Sequence, residues 1–242
     1  MDMNKSTGYI LLILVVFSYL GYYSYSLFIN SPRFAPEPVS NARSVTVPLL
    51  AVDQDEKGMV IPLIVELSPG TGKILVNIDN PSFIQDTQDS MRLAVKEAVQ
   101  MTNTNLDNYD VTFSIQSNVS VLGGPSAGAA MTIAAMALLL DKPIASNVAI
   151  TGTIMEGGYI GQVGGVLEKA TAARDYGVSL LLVPPGESVY REPLETCTQR
   201  NSGRWSQKEC FITYNTVNIS KDIGIAVAEV GTIADAMAYM LE

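Results

Sequence analysis

The sequence predicts an α/β domain carried behind a short N-terminal appendage, and three observations lead there. Strand-like and helix-like stretches alternate from Val45 to the C-terminus, the pattern of a mixed layered domain. Of the 242 residues, 48% are hydrophobic, ample for one packed core. Ahead of this domain, Tyr9 to Ile29 is an uncharged apolar run, and no charge occurs between Lys5 and Arg33. At ~1.5 Å per residue such a helix reaches about 30 Å, the thickness of a bilayer core. The expected division is a transmembrane anchor over 1–30, a linker over 31–44 and the α/β domain over 45–242.

The anchor competes with a cleaved signal peptide, which also begins basic and apolar. A signal peptide has a shorter apolar core and an Ala-x-Ala site, and none follows here, so an uncleaved anchor is the reading. Tyr19, Tyr22, Tyr23 and Tyr25 suit an interfacial belt. Lys5 and the free amine stand against Arg33 and Arg43, and the reading places the N-terminus inside and the domain outside the cell membrane. Pro32, Pro36 and Pro38 among small polar residues make the linker extended.

Strands are expected at 45–52, 59–67 and 72–79, with Pro48 and Pro62 pushing the first two towards edges or bulges. Pro69-Gly70-Thr71-Gly72 turns the chain between the second and third. Thr87 to Met101 has helical spacing, with Met91, Ala94, Val95, Ala98 and Val99 on one side. Tyr109 to Gln116 alternates like a half-buried strand. Ser126 to Leu140 is a strongly apolar helix that Asp141-Lys142-Pro143 ends. Val148-Ala149-Ile150 reads as a buried strand and Val166 to Tyr176 as a helix capped by Gly177. Ser179 to Val183 is a continuous apolar strand closed by Pro184-Pro185. The last helix starts near Thr232, with Asp235 placed for a capping box. Cys197 and Cys210 flank a polar stretch containing Trp205; they could form one disulfide in an oxidising compartment or remain free thiols in an ordinary loop.

Composition excludes several functions. A net charge of −9, from 15 basic and 24 acidic residues, lacks the basic footprint of a nucleic-acid binder. There is no histidine, and two cysteines cannot complete a tetrahedral zinc site, so no metal or other cofactor is expected. Asp53-Gln54-Asp55-Glu56-Lys57-Gly58 resembles a calcium loop, but Lys57 takes a ligand position and Ile64 stands where the bidentate Glu belongs. It reads as a solvated turn.

The zero histidine count shapes the chemistry. A serine nucleophile needs a base, every Ser-His-Asp arrangement is excluded, and a lysine amine is the remaining common choice. Gly123-Gly124-Pro125-Ser126-Ala127-Gly128 opens the apolar helix, which exposes a serine at a helix entry whose free N–H groups can hold an oxyanion. A glycine-rich helix entry with a capping serine is the structural alternative for this hexapeptide alone. No Gly-Lys-Ser/Thr follows it, so it is not a phosphate loop. Lys169 begins a second glycine-led helix among Val166, Leu167, Ala170, Ala172 and Ala173. Burial there, with the positive helix end, would depress its amine towards the neutral form a base requires. Glu168, about 100° around the helix, reads as a surface residue.

With Gly124-Pro125-Ser126-Ala127-Gly128, Thr151-Gly152 and Gly164-Gly165-Val166-Leu167-Glu168-Lys169 in this order, the chain resembles the catalytic domain of the Lon family of Ser-Lys peptidases, most closely its archaeal membrane-bound branch. The resemblance runs loosely from Val45 onward, leaving out the N-terminal thirty-odd residues and a stretch near 186–225. It implies a Lon-type protease fold, Ser126 as nucleophile, Lys169 as base and Thr151 orienting the lysine. Gly124 and Ala127 would shape the turn and the oxyanion site. It also implies protein or peptide substrates and a homo-oligomeric ring. The chain departs from the family at Gly123 (acidic in many relatives), Thr153 (glutamate) and Gln162 (proline); these bear on substrate preference and leave the dyad intact. No Walker motif occurs, so ATP-driven unfolding would need a separate ATPase partner. The expected function is a membrane-anchored serine endopeptidase. A non-catalytic module of the same fold and a Ser-Lys peptidase that processes signal peptides are the other readings.

Overall fold

In the computed structural model the described residues are 42–77, 82–83, 85–115, 121–202 and 205–242, with Tyr19 alone before them. The apolar run 9–29, Tyr19 apart, and most of the linker lie outside the described residues. Among the described residues no helix is long and apolar enough to cross a membrane. Pro38 to Glu242 forms one compact unit, and its first strand starts at Arg43, inside the expected linker.

Strand β1 (Arg43–Val52) and β2 (Gly58–Pro69) make an antiparallel hairpin around the Asp53–Lys57 turn. Asp53 holds that turn by accepting from the N–H groups of Asp55 and Lys57 at 2.9 and 2.8 Å. β5 (Tyr109–Ile115) pairs antiparallel with β2, and the short β3 (Ile74–Val76) lies parallel to β5. The sheet order is β1-β2-β5-β3, and a separate parallel pair joins β4 (Ser82–Phe83) to β6 (Val121–Leu122). Pro62 therefore sits in an interior strand, contrary to the expected edge. The β2–β5 ladder begins only at Leu63, so the missing proline N–H interrupts no bond on that side. β3 covers 74–76 of the expected 72–79, and residues 78–79 are outside the described set.

Alternation decides which face is buried. Ile61, Leu63, Val65 and Leu67 of β2 and Val111, Phe113 and Ile115 of β5 point into the main core. Helix α1 (Gln85–Thr102) lays Met91, Ala94, Val95 and Ala98 on that core. Helix α2 (Gly128–Leu140) is apolar all round and buried all round, since it packs against the sheet, α1 and the C-terminal helix. The predicted helix at Ser126 begins instead with a 3-10 turn, Pro125–Ala127, and becomes α-helical at Gly128.

A second, parallel sheet has the order β13-β10-β7, from β7 (Val148–Ile150), β10 (Leu180–Val183) and β13 (Ala226–Glu229). Helix α3 (Val166–Tyr176) covers it, packing Val166, Ala170 and Ala173 near Leu181 and Val183. A small hairpin, β8 (Thr153–Met155) with β9 (Tyr159–Gly161), follows β7. The last helix, here α5 (Ile233–Met240), carries the Thr232–Asp235 capping box; a short α4 (Ile219–Ile223) precedes β13.

The stretch near 186–225 is not an ordinary loop. β11 (Val189–Ser202) and β12 (Trp205–Asn218) form a long antiparallel ribbon, with Cys197 directly opposite Cys210 and joined to it by a disulfide. Polar and apolar residues mix there without alternation on a ribbon exposed on both faces, so the strand signal that a one-sided burial pattern gives is absent.

Candidate active site

The chain enters the serine turn through Gly124, whose φ of 99° suits glycine and strains any other residue. The first turn of α1 clamps this bend: Asp86 Oδ1 accepts from the Gly124 N–H at 3.3 Å, and the Thr87 hydroxyl donates to the Gly124 carbonyl at 3.3 Å. Because Asp86 engages its N–H, Gly124 serves the turn here and not as a free oxyanion donor. Ser126 follows, half-buried on the 3-10 turn, with Ala127 leading into α2. The Ser126 carbonyl accepts from the Gly152 N–H at 2.9 Å, and the Ala129 N–H donates to the Gly152 carbonyl at 3.0 Å. The Thr151-Gly152 link at the end of β7 is thereby strapped to the serine turn.

Lys169 lies in the first turn of α3, which starts from Gly165 in the left-handed region. The helix buries the lysine to 3% exposure among Val166, Ala170 and Ala173. Its Nζ donates to Thr151 Oγ1 at 3.3 Å, and Thr151 Oγ1 donates to the Ser126 carbonyl at 3.5 Å. No hydrogen bond joins Lys169 to Ser126 directly among the described residues; Thr151 is the link. Burial lowers the amine from 10.5 to about 8, against the opposing pull of the Glu187 and Glu168 carboxylates. A substantial neutral fraction therefore exists near neutral pH, as proton acceptance requires.

Ser126 and Lys169 open into one cavity of about 1020 Å³. Gly124, Pro125, Gly164 and Gly165 line it beside them, and the Asp53–Glu56 turn forms another part of its wall. The solvated turn of the sequence reading is thus also a cleft wall, rich in carboxylates. Glu168, expected at the surface, lines the same cavity.

Two contributors were missed in the sequence. Glu187 accepts from the Val163 N–H at 2.8 Å and so fixes the loop that delivers Lys169. Among the described residues its other carboxylate oxygen is buried without a hydrogen-bond partner. Burial pushes this acid up, while the Val163 N–H and Lys169 pull it down. The available signal was positional: Thr151 and Glu187 both follow the carboxyl ends of parallel strands, where open α/β sheets place their sites. Tyr190, at the base of the ribbon, also lines the cavity. As for metals, the grouping of Glu195, Cys197 and Cys210 has both sulfurs committed to the disulfide.

Comparison with known proteins adds independent findings. The model of the Lon protease (S16) C-terminal proteolytic domain matches residues 39–192, more than half of the chain. A Lon protease of Phenylobacterium zucineum is 32% identical over 120 residues, covering 48% of this chain and 15% of that protein. An archaeal Lon protease of Methanothermobacter thermautotrophicus is 26% identical over 139 residues, covering 56% of this chain and 21% of that protein. The Lon protease of Escherichia coli (strain K12) is 29% identical over 119 residues, 48% of this chain and 15% of the relative. The matched region thus spans only 15–21% of these relatives' lengths.

Proposed function

The chain belongs to the family of the Lon protease C-terminal proteolytic domain, and from that premise we propose that it is a serine endopeptidase in which Ser126 is the nucleophile and Lys169 the general base. One observation carries the assignment: a buried lysine, its amine lowered to about 8 by burial and bonded to Thr151, shares one cavity with a serine on a glycine-led turn. In a chain without histidine that amine is the base within reach.

Ser126 Oγ attacks the peptide carbonyl carbon while its proton passes to neutral Lys169 Nζ. The carbonyl π electrons move to oxygen, and backbone N–H groups of the Ser126–Ala127 turn, at the entry to α2, stabilise that oxyanion. Collapse breaks the C–N bond as the Lys169 ammonium returns the proton to the leaving nitrogen, leaving an ester on Ser126. Water then attacks the ester, giving its proton to Lys169, and the freed serine oxygen takes it back. Thr151 accepts from Nζ and aims the amine. The Gly124 bend, fixed by Asp86 and Thr87, sets the serine's place.

The reading extends to the rest of the molecule. An anchor over 9–29 ties the domain to a membrane, supported by the uncharged apolar run. The domain faces outside, supported by the Cys197–Cys210 disulfide, a bond of oxidising compartments. Substrates are proteins or peptides, and the chain assembles as a ring.

Turnover of an unfolded protein by wild type, Ser126→Ala and Lys169→Arg tests the dyad. Both variants should be folded and inactive, since guanidinium stays protonated and cannot accept the proton. Appreciable activity in either rejects it. Carbonate extraction and protease protection in right-side-out vesicles test the topology: release from the membrane, or a protected domain, contradicts it.

A further inference from the structure

The ribbon β11–β12 has no role in the dyad, yet it concentrates exposed apolar side chains: Leu194, Trp205, Phe211, Ile212 and Tyr214 are each more than half exposed. With 14 residues in each strand it extends roughly 45 Å at ~3.4 Å per residue. A two-stranded ribbon of this kind is marginal by itself, and the disulfide pins it at mid-length. Apolar surface left open on so thin an element marks a contact site.

The register gives the ribbon two distinct faces. Tyr190 opposes Val217, Leu194 opposes Thr213 and Thr196 opposes Phe211, so Tyr190, Leu194 and Phe211 share one face. Pro193 opposes Tyr214 and Glu195 opposes Ile212, which puts Tyr214 and Ile212 on the other. Tyr190 lines the cleft that holds Ser126 and Lys169. The first face therefore runs directly outward from the cleft. Farther out, Gln199, Arg200, Gln207 and Lys208 are polar, and Trp205, opposite Ser202 at the tip, continues the apolar character of the first face. Among the described residues each ribbon strand pairs only with the other, so each has a free edge of N–H and C=O groups. Such an edge binds an extended chain through main-chain hydrogen bonds that tolerate any sequence, with alternate apolar side chains supplying contact area.

We propose that the Tyr190–Leu194–Phe211 face of the ribbon, with its free edge, docks an extended, unfolded polypeptide segment bearing apolar side chains and leads it to the cleft. The inference rests on the peptidase reading and names that enzyme's substrate form: an unfolded chain long enough to span cleft and ribbon. Continuity with the cleft selects this occupant over a second copy of the chain or a lipid surface.

The test uses full-length Ser126→Ala protein and dye-labelled casein, an unfolded chain, with binding read by fluorescence anisotropy and assembly by sedimentation velocity. Leu194→Ser/Phe211→Ser should weaken casein binding roughly tenfold or more, the loss of two central apolar anchors. Phe211→Leu, which keeps an apolar side chain, should retain most of the affinity. Ile212→Ser/Tyr214→Ser, on the opposite face, should change it by less than about threefold, with sedimentation the same for all variants. In the Ser126 background, the ratio of kcat/KM for casein to that for a blocked tetrapeptide should fall about tenfold in Leu194→Ser/Phe211→Ser. Unaltered casein binding, or equal loss from both faces, overturns the proposal. A change in sedimentation assigns the face to a second copy, and binding to lipid vesicles lost with the same residues assigns it to a membrane; either result also overturns it. Binding needs no turnover, so casein bound by a chain that cleaves nothing refutes the peptidase reading alone, whereas cleavage indifferent to the ribbon refutes the docking alone.

Discussion

Replacing Lys169 by methionine should abolish turnover and at the same time stabilise the fold. The amine is 3% exposed and its proton is held near pH 8, against 10.5 in an unperturbed lysine. At about 1.4 kcal/mol per unit, keeping the ammonium in that site costs about 3 kcal/mol whenever both states are protonated. Methionine fills similar volume without the charge, and forfeits one hydrogen bond to Thr151, worth about 1 kcal/mol. The net expected gain below pH 8 is about 2 kcal/mol. Because the folded pKa lies below the unfolded one, the native state sheds this proton first, and wild-type stability recovers as pH climbs from about 8 to 10.5. Above that window the cost is absent, and methionine should be no better than wild type. Urea unfolding of both proteins at intervals from pH 6.5 to 11 measures the difference, and other titrating groups cancel between them. A Lys169→Met protein less stable than wild type at pH 7, or a difference flat across the window, refutes the claim that burial tunes this lysine.

Other outcomes follow from the same geometry. Glu187→Gln removes a carboxylate that pulls the lysine up, so the inflection in a kcat/KM–pH profile should move below that of wild type; an upward move contradicts the assignment. Gly124→Ala meets open space for its methyl but must adopt a φ of 99°, so it should cost ~1–3 kcal/mol in thermal unfolding, with a turnover loss measured on a tetrapeptide. Phe113→Ala, at the centre of the main core, should cost ~3–5 kcal/mol in urea unfolding. Cys197→Ser/Cys210→Ser releases a ribbon that stands outside both cores, so limited proteolysis within 189–218 should accelerate while the thermal midpoint of the body barely changes.

Legibility in the sequence followed burial. Helices α1 and α3 and strand β5 were readable because each meets one partner layer and keeps a clean period, whereas β7 and β10, buried on both faces between the two cores, showed as short continuous apolar runs. The α2 stretch was readable by length and its stop at Asp141, although its all-round burial erases amphipathic spacing. The site's glycine turns and its serine, threonine and lysine lie on local sequence signals, and the fold brings them to one cavity. Glu187 and the Asp53–Glu56 turn reach the cleft by tertiary folding of strands far apart in the chain; only the position of Glu187 after β10 hints at a site, and no motif marks either. The ribbon escaped for the opposite reason: neither face is buried, so no alternation imposes itself on its residues. Pro62 misled because a proline inside a sheet is harmless where one neighbouring strand has already ended.

The central claim is tested most directly by covalent labelling of the full-length protein with a fluorophosphonate, followed across pH and mapped by mass spectrometry. A Ser126–Lys169 dyad predicts a single adduct on Ser126 whose rate of formation rises through one pKa near 8 and vanishes in Lys169→Arg. An adduct elsewhere, no adduct at any pH, or a Lys169→Arg protein labelled as fast as wild type contradicts it.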